Sequence, residues 1–426
     1  MNIFRISLLL VASTLSGAQL VAQVSVYGFY NENFDPNVPL VLGQFEAVTG
    51  EWLELDTLDF AGAVVMGSSA FDAGSECYMF AGLGFPMEGA ESGFWDYNVT
   101  DNVVMGSPVF NQTINAIQHD MNNDRLLGLG MYPADSVFVD FGNGDGYWQY
   151  EYGSQLLELD EETGTTEALG NVEGVNGVIL GATAFDSDNG VYALVGIDNQ
   201  GNQKFIQLDG TTGEEISSVN LDIPEGYGFN ELECYLEESK YIGIKRPYGN
   251  PDGSVDAPVE LVLVDPLSGS LGTLLELPQI YAITPNASVF DQTSGLFVML
   301  YYDVDFQTHV LVMDPTAPEV VADHVISGSF IELQINNREF MIAAYGLPSP
   351  VPEIAETAED LLVWPNPVAS TLHLRGQEGP VQVYNVAGNL LLDRHAASSI
   401  SVNAWENGLY IVKDGKGNGA TFTVQH

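Results

Sequence analysis

Six hairpins of one kind alternate along this chain with six of another, at a period of roughly 45 to 65 residues, and that pattern predicts an all-β fold, a ring of four-stranded blades. Such a ring is a β-propeller. Two further observations support it. The 426 residues include 45 glycines and 46% hydrophobic residues, enough apolar material for a large core cut by many turns. The repeats also begin with one hairpin type and end with the other, so the two ends of the repeat region would complete a single blade.

Hairpins of the first kind run from a strand through a polar turn into a more apolar strand. They are Gly67 to Gly82, Ile114 to Leu129, Leu180 to Val195, Phe229 to Ile244, Pro285 to Leu300 and Ser329 to Ala343. The second kind comprises Leu40 to Leu55, Gln155 to Leu169, Lys204 to Leu221, Glu260 to Leu277 and His309 to Ile326, with a degenerate copy at Phe94 to Val109. Four of these turn at Thr49-Gly50, Thr163-Gly164, Thr212-Gly213 or Ser268-Gly269. Asp160, Asp209 and Asp265 stand just before three of the turns and read as caps, because an aspartate bonds to backbone two residues on. Six blades are expected, with Leu40 to Leu55 and Ser329 to Ala343 closing the ring. A seventh blade built from Val24 to Tyr30 is the alternative.

Antiparallel alternation puts the loops between second and third strands on one face. Three of them are long: Gly82 to Gly93, Met131 to Ser154 and Arg246 to Val259. The middle one is dense in aromatics and carboxylates, and its candidate ligand-binding residues are Asp140, Asp145, Tyr147, Trp148 and Tyr150. Trp95 and Tyr97 in the blade before, and Arg246 and Tyr248 in the fourth, join them. Aromatic platforms beside polar groups suit a glycan or a peptide.

Charge narrows the partners. Residues 23–350 hold six Lys+Arg and fifty Asp+Glu, a net of −44 within the chain's −47. Such a field repels nucleic acid and anionic membranes. No cofactor is expected, calcium being the one ion the acidic loops Asp140 to Gly146 and Asp186 to Gly190 could take. The first lacks the Asp-x-Asp-x-Asp-Gly spacing and distal Glu of a calcium loop, and the second occupies the position where every blade needs a turn. Histidines are few, with His119, His309 and His324 alone in the ring, and no His-x-x-x-His or Gly-x-Ser-x-Gly pattern occurs, which argues against a transition-metal or His-dependent hydrolase site. Cys77 and Cys234 fall in the first and fourth blades, on opposite sides of the ring, and are expected as free thiols.

At the N-terminus, a basic start (Met1 to Arg5), an apolar run (Ile6 to Leu15) and small residues at Ala18 and Ala22 read as a signal peptide over residues 1–22. The run is too short to span a bilayer. The ring would then occupy 23–347 and a Pro-rich linker 348–357, with Pro348, Pro350 and Pro352.

Residues 358–426 form a separate unit of six or seven short strands, read as a small Ig-like β-sandwich. It opens on Pro365-Asn366-Pro367, continues through Thr371-Leu372-His373-Leu374 and Val383-Tyr384-Asn385 with Gly388, and closes on Asn407-Gly408-Leu409-Tyr410-Ile411-Val412. In the order of these motifs it resembles the type A C-terminal sorting domain of the type IX secretion system of Bacteroidetes. The resemblance implies handling by that machinery and release or attachment at the cell surface. For the ring itself two readings stand: a non-catalytic binding protein, or a secreted polymer-degrading enzyme with a carboxylate pair near the central channel.

Overall fold

The computed structural model describes residues 24–31, 40–57, 62–84, 93–107, 110, 112–140, 145–160, 163–248, 257–277, 280–346, 362–375, 380–385, 389–395, 399–415 and 419–426. The signal segment, the proline linker, Gly388 and much of the three long loops, including 141–144 and Asp252, lie outside them. The chain divides into two compact units, 1–347 and 348–426.

The first unit is a six-bladed β-propeller. Strands β1 (Ser25–Asn31), β2 (Val41–Glu46) and β3 (Trp52–Thr57) belong to the closing blade. Blade 1 is β4 (Gly62–Asp72), β5 (Cys77–Gly84), β6 (Gly93–Asn98) and β7 (Val103–Ser107); blade 2 is β8 (Ile114–Asp120), β9 (Arg125–Asp140), β10 (Gly146–Asp160) and β11 (Thr165–Val172). Blade 3 is β12 (Gly177–Asp186), β13 (Val191–Ile197), β14 (Gln203–Asp209) and β15 (Glu215–Asn220). Blade 4 is β16 (Tyr227–Tyr235), β17 (Lys240–Pro247), β18 (Glu260–Val264) and β19 (Leu271–Glu276). Blade 5 is β20 (Ala282–Asp291), β21 (Leu296–Tyr302), β22 (Thr308–Asp314) and β23 (Glu319–Ile326). Finally β24 (Ser329–Ile335) becomes the innermost strand of blade 6, in the order β24-β1-β2-β3.

Closure therefore differs from the expected two-plus-two. One strand from the end of the repeats pairs with three from the start, with Val26 opposite Ile335 and Tyr30 opposite Phe330. Val24 to Tyr30 is the second strand of the sixth blade and not the seed of a seventh. The position it fills is vacated because Phe340 to Ala343, expected as a strand, lies in helix α1 (Arg338–Tyr345), which ends at Gly346 with φ 70°.

Burial explains why the strands read as they do. Six hydrophobic clusters sit one at each seam between neighbouring blades. Inner strands are covered on both sides, so β21 is continuously apolar (LFVMLYY) and almost wholly buried. Outer strands such as β15 are covered by nothing beyond, and are polar and mostly exposed. The turn aspartates cap as expected: Asp209 Oδ1 accepts from Thr211 N at 2.8 Å and Thr212 N at 2.9 Å, and Asp265 Oδ1 from Leu267 N at 2.9 Å. Asp186 does the same for Asp188 and Asn189, each at 3.1 Å.

In the second unit, β25 (Leu362–Trp364), β26 (Thr371–Arg375) and β29 (Ser399–Ser401) form one sheet. The other is β28 (Leu390–His395), β27 (Pro380–Asn385), β30 (Gly408–Lys413) and β31 (Gly419–Val424). Val368, Leu372, Val381, Val383, Val412 and Phe422 fill the space between them, giving a small β-sandwich.

Candidate functional site

The centre of the ring is built from one repeated irregularity. Every innermost strand carries a bulge at the same height, shown by a register shift against its neighbour. The bulge residue has positive φ in all six: Gly67 (73°), Ala116 (53°), Gly181 (77°), Glu231 (50°), Asn286 (56°) and Glu332 (56°). This belt narrows the channel until backbones nearly touch. A Cβ on Gly181 would stand 2.6 Å from Asn286 N and 2.7 Å from Glu231 Oε1, so glycine is required there for space as well as for φ.

Two belt glutamates bind the blades together. Glu332 Oε1 accepts from Gly67 N at 2.7 Å, and its Oε2 from Ser69 Oγ at 2.9 Å and Asn286 Nδ2 at 2.7 Å. Glu231 accepts from Asn286 N at 3.1 Å and Ala287 N at 3.2 Å. Two residues further along each strand stands a polar ring of Ser69, Gln118, Thr183, Glu233, Ser288 and Gln334. They pair across alternate seams: Gln118 Nε2 donates to Thr183 Oγ1 at 3.2 Å, Ser288 Oγ to Glu233 Oε1 at 2.9 Å, and Gln334 Nε2 to Ser69 Oγ at 3.1 Å.

Helix α1 closes the channel on the side of the first-to-second turns. Arg338 Nη1 donates to the Ala73 and Gly74 carbonyls of blade 1, at 2.8 and 2.5 Å. Phe340 packs at the seam of blades 3 and 4, Met341 at that of blades 6 and 1, and Tyr345 OH donates to Asp188 Oδ1 at 2.7 Å. Beneath it a cavity of about 100 Å3 is lined by all six innermost strands, with Gln118, His119, Thr183, Glu233, Asn286 and Gln334 among its walls. Burial drives the carboxyls toward their neutral forms: Glu332 rises to about 7 and Glu233 to about 8, and Glu231, with Glu233 beside it, is held well above the usual range. Sequence alone could not single out these three among fifty acids. Their only signal is that Glu231 and Glu332 fall where the repeat elsewhere has Gly67 and Gly181.

The opposite face carries the feature expected as a long loop, and it is instead a ribbon. β9 and β10 continue past their blade neighbours at Gly130 and Ser154 and pair with each other alone out to Asp140 and Gly146, a projection of roughly 30 Å. Trp148 lies opposite Phe138, their rings edge to face with centroids 5.4 Å apart. Trp148 and Tyr152, four residues apart on one strand, share a face and are each 57% exposed. Tyr147 is half exposed on the other face, and Asp145 is exposed at the tip. Asp140 and Tyr150 belong to the ribbon strands, their side chains lying outside the described set.

The remaining candidates stand in blades 1 and 4. Tyr97 is fully buried, its OH donating to Asn102 Oδ1 at 3.1 Å, and Trp95 stacks on Phe80 with centroids 5.5 Å apart. Both stand on a third strand, which blades cover from both sides, so they are core of blade 1. Arg246 Nε donates to Asn230 Oδ1 at 2.8 Å, and Tyr248 OH accepts from Gln203 Nε2 at 2.9 Å while its ring lies over Gly228. Arg246 thus bonds within blade 4, whereas Tyr248 bridges blades 3 and 4 and remains 56% exposed.

In the second unit, the Pro365-Asn366-Pro367 opening is pinned to the final strand. Asn366 Oδ1 accepts from Thr423 N at 2.9 Å, Val368 N donates to Thr423 O at 2.8 Å, and Tyr410 OH donates to Glu406 O at 2.7 Å. Residues 362–424 match the secretion system C-terminal sorting domain. A chain with this sorting domain is handled by the type IX secretion machinery and is exported to the cell surface or released. Among the described residues no helix is long and apolar enough to cross a membrane.

Whole-chain comparisons add an outline only. No functionally curated protein matches the chain. Similar solved structures include TolB from Acinetobacter baumannii, at 10% identity and TM-score 0.49, covering 73% of this chain and 66% of that one, just under two thirds. Others are a putative TolB from Agrobacterium tumefaciens (12%, TM-score 0.43, 74% and 94%) and a putative 6-phosphogluconolactonase from Bacteroides fragilis (11%, TM-score 0.42, 74% and 99%). At these values they carry no functional argument.

Proposed function

We propose that this exported propeller is a non-catalytic binding protein, and that the β9–β10 ribbon holds a glycan or a peptide. The observation that carries the reading is the exposure of Phe138, Tyr147, Trp148 and Tyr152 on a two-stranded projection from a rigid ring. An isolated two-stranded hairpin is marginally stable in water, and large rings left on its faces are an apolar surface that a ligand can cover. Stacking on Trp and Tyr suits the apolar faces of sugars, and the open edges of the ribbon suit an extended peptide.

The enzymatic alternative has less support. Glu231 and Glu332 are engaged by backbone amides and blade-to-blade hydrogen bonds, and the cavity at Glu233 lies between the belt and α1 with room for only a few waters.

The test is a glycan array and a peptide library, each run in calcium and in EDTA. Wild-type protein should bind a subset, and Trp148→Ala should weaken that binding at least about tenfold with an unchanged melting temperature. Absence of wild-type binding on both arrays, or full binding by Trp148→Ala, would contradict the proposal.

A further inference from the structure

The first-to-second turns of blades 1 and 2 bring together three side chains that are distant in sequence. In blades 1, 3 and 5 the residue before the capping aspartate is Phe71, Phe185 or Phe290, whereas in blade 2 it is His119. The imidazole fills the aromatic slot, with only 6% of its side chain exposed. Its Nε2 lies 3.6 Å from Asp72 Oδ1 in the adjoining blade and 3.3 Å from Asp124 Oδ1 across its own turn. One donor atom from each of the three residues lies within 4.8 Å of the others.

The spacing is compatible with two uses of that set. A good N–H···O hydrogen bond is about 2.7 to 3.2 Å long. Two ligands each about 2.1 Å from one ion at a tetrahedral angle stand about 3.4 Å apart. The His119 Nε2–Asp124 Oδ1 contact is a long hydrogen bond, and the two His–Asp distances also bracket the ligand–ligand spacing. A second observation is independent of the carboxylates: His119 Nδ1 is buried with no partner among the described residues. A histidine that ligates through Nε2 carries its proton on Nδ1 and needs an acceptor there. The ring borders the polar cavity beneath α1, whose volume admits the water that would supply one.

We propose that Asp72, His119 and Asp124 form a binding site for a divalent transition-metal ion with the preferences of Zn2+, a remaining position being open to water. One nitrogen and two carboxylates suit such an ion, while Ca2+, which takes six to eight oxygens, finds too few. The chain's net charge of −47 raises the local concentration of any cation. The sequence argued against a transition metal because histidines are few and no His-x-x-x-His pattern occurs; Asp72 and His119 are 47 residues apart, and only the blade seam joins them.

Two variants read from the sister blades keep the fold. His119→Phe installs the residue of blades 1, 3 and 5. Asp124→Gly relieves a left-handed backbone (φ 51°) at the position held by Gly190 and Gly295 in blades 3 and 5. The experiment is calorimetric titration of the full chain with ZnCl2 in about 0.15 M NaCl, where diffuse binding to the acidic surface is screened. Wild type should saturate one site that excess CaCl2 does not displace. Asp124→Gly should weaken it at least about tenfold and His119→Phe should abolish it, with both variants melting cooperatively without metal. No saturable Zn2+ site in wild type, or equal affinity in all three proteins, would overturn the proposal.

Discussion

Glu332 of the last blade takes the side-chain amide of Asn286 in the blade before at 2.7 Å, while its other oxygen takes the backbone N–H of Gly67 in the first blade, also at 2.7 Å. One carboxyl thus spans three blades across the point where the two ends of the repeat region meet. The β24–β1 ladder joins the two ends of the repeat region within blade 6, and Glu332 ties that blade to both of its neighbours.

The crowding of the belt predicts a sharp contrast between two glycines. Gly181→Ala forces a Cβ to within 2.6 Å of Asn286 N at φ 77°, and should cost roughly 3 kcal/mol or more. Gly190→Ala, also at positive φ (65°) but with nothing within 4 Å of its Cβ, should cost about 1 kcal/mol. Urea melts of the two variants check it; equal losses would mean that the belt is not close-packed.

Protons should stabilise the ring through neutrality. Glu332 and Glu233 rise from 4.5 to about 7 and about 8, so between those limits the folded chain holds protons that the unfolded chain releases. Stability is then greatest near the lower limit and falls as pH rises, by about 1.4 kcal/mol per pH unit for each group still titrating, until the folded values are passed. Turn carboxylates such as Asp209 and Asp314, whose values are lowered, act oppositely and only in stronger acid. Melting temperatures at pH 5, 6.5 and 8 should fall in that order, and Glu233→Gln should flatten the upper half of the trend. A rise, or an unaltered slope in the variant, would contradict this.

Cys77 and Cys234 are both buried, in blades 1 and 4. Burial also pushes both thiols up in pKa, so neither is a reactive thiolate. Ellman's reagent should find about no fast-reacting thiol in the native protein and two after denaturation, and reductant should leave the melting temperature unchanged. A reductant-sensitive melt would contradict the blade assignment.

Much of the fold was legible because a blade repeats its own grammar. Asp160, Asp209 and Asp265 before a turn mark three hairpins of the second kind, and an apolar strand after a polar turn marks the first kind, without reference to the rest of the chain. What failed was non-local. Val24 to Tyr30 finds its inner partner about three hundred residues away, and no local pattern encodes that pairing. The run Phe340 to Ala343 is too short for periodicity to separate strand from helix. Asn336 and Asn337 before it and Gly346 after it were the available signals, since Asn336 Oδ1 accepts from Arg338 N at 3.0 Å and Gly346 ends the helix left-handed. Among the candidate ligand residues, position within the blade sets which are exposed. Tyr97 and Trp95 stand on a strand covered from both sides, whereas Trp148 stands on strands that have outrun their neighbours. Composition sees the same aromatic residues in both.

The most direct test of the account removes the ribbon. Joining Met131 to Ser154, which are paired, through an Asn-Gly turn leaves blade 2 with four strands of ordinary length. The shortened protein should melt cooperatively within a few degrees of wild type, and should lose its signal on the glycan and peptide arrays that wild type binds. Array binding that survives with the ribbon gone would place the ligand elsewhere on the ring and contradict the central claim.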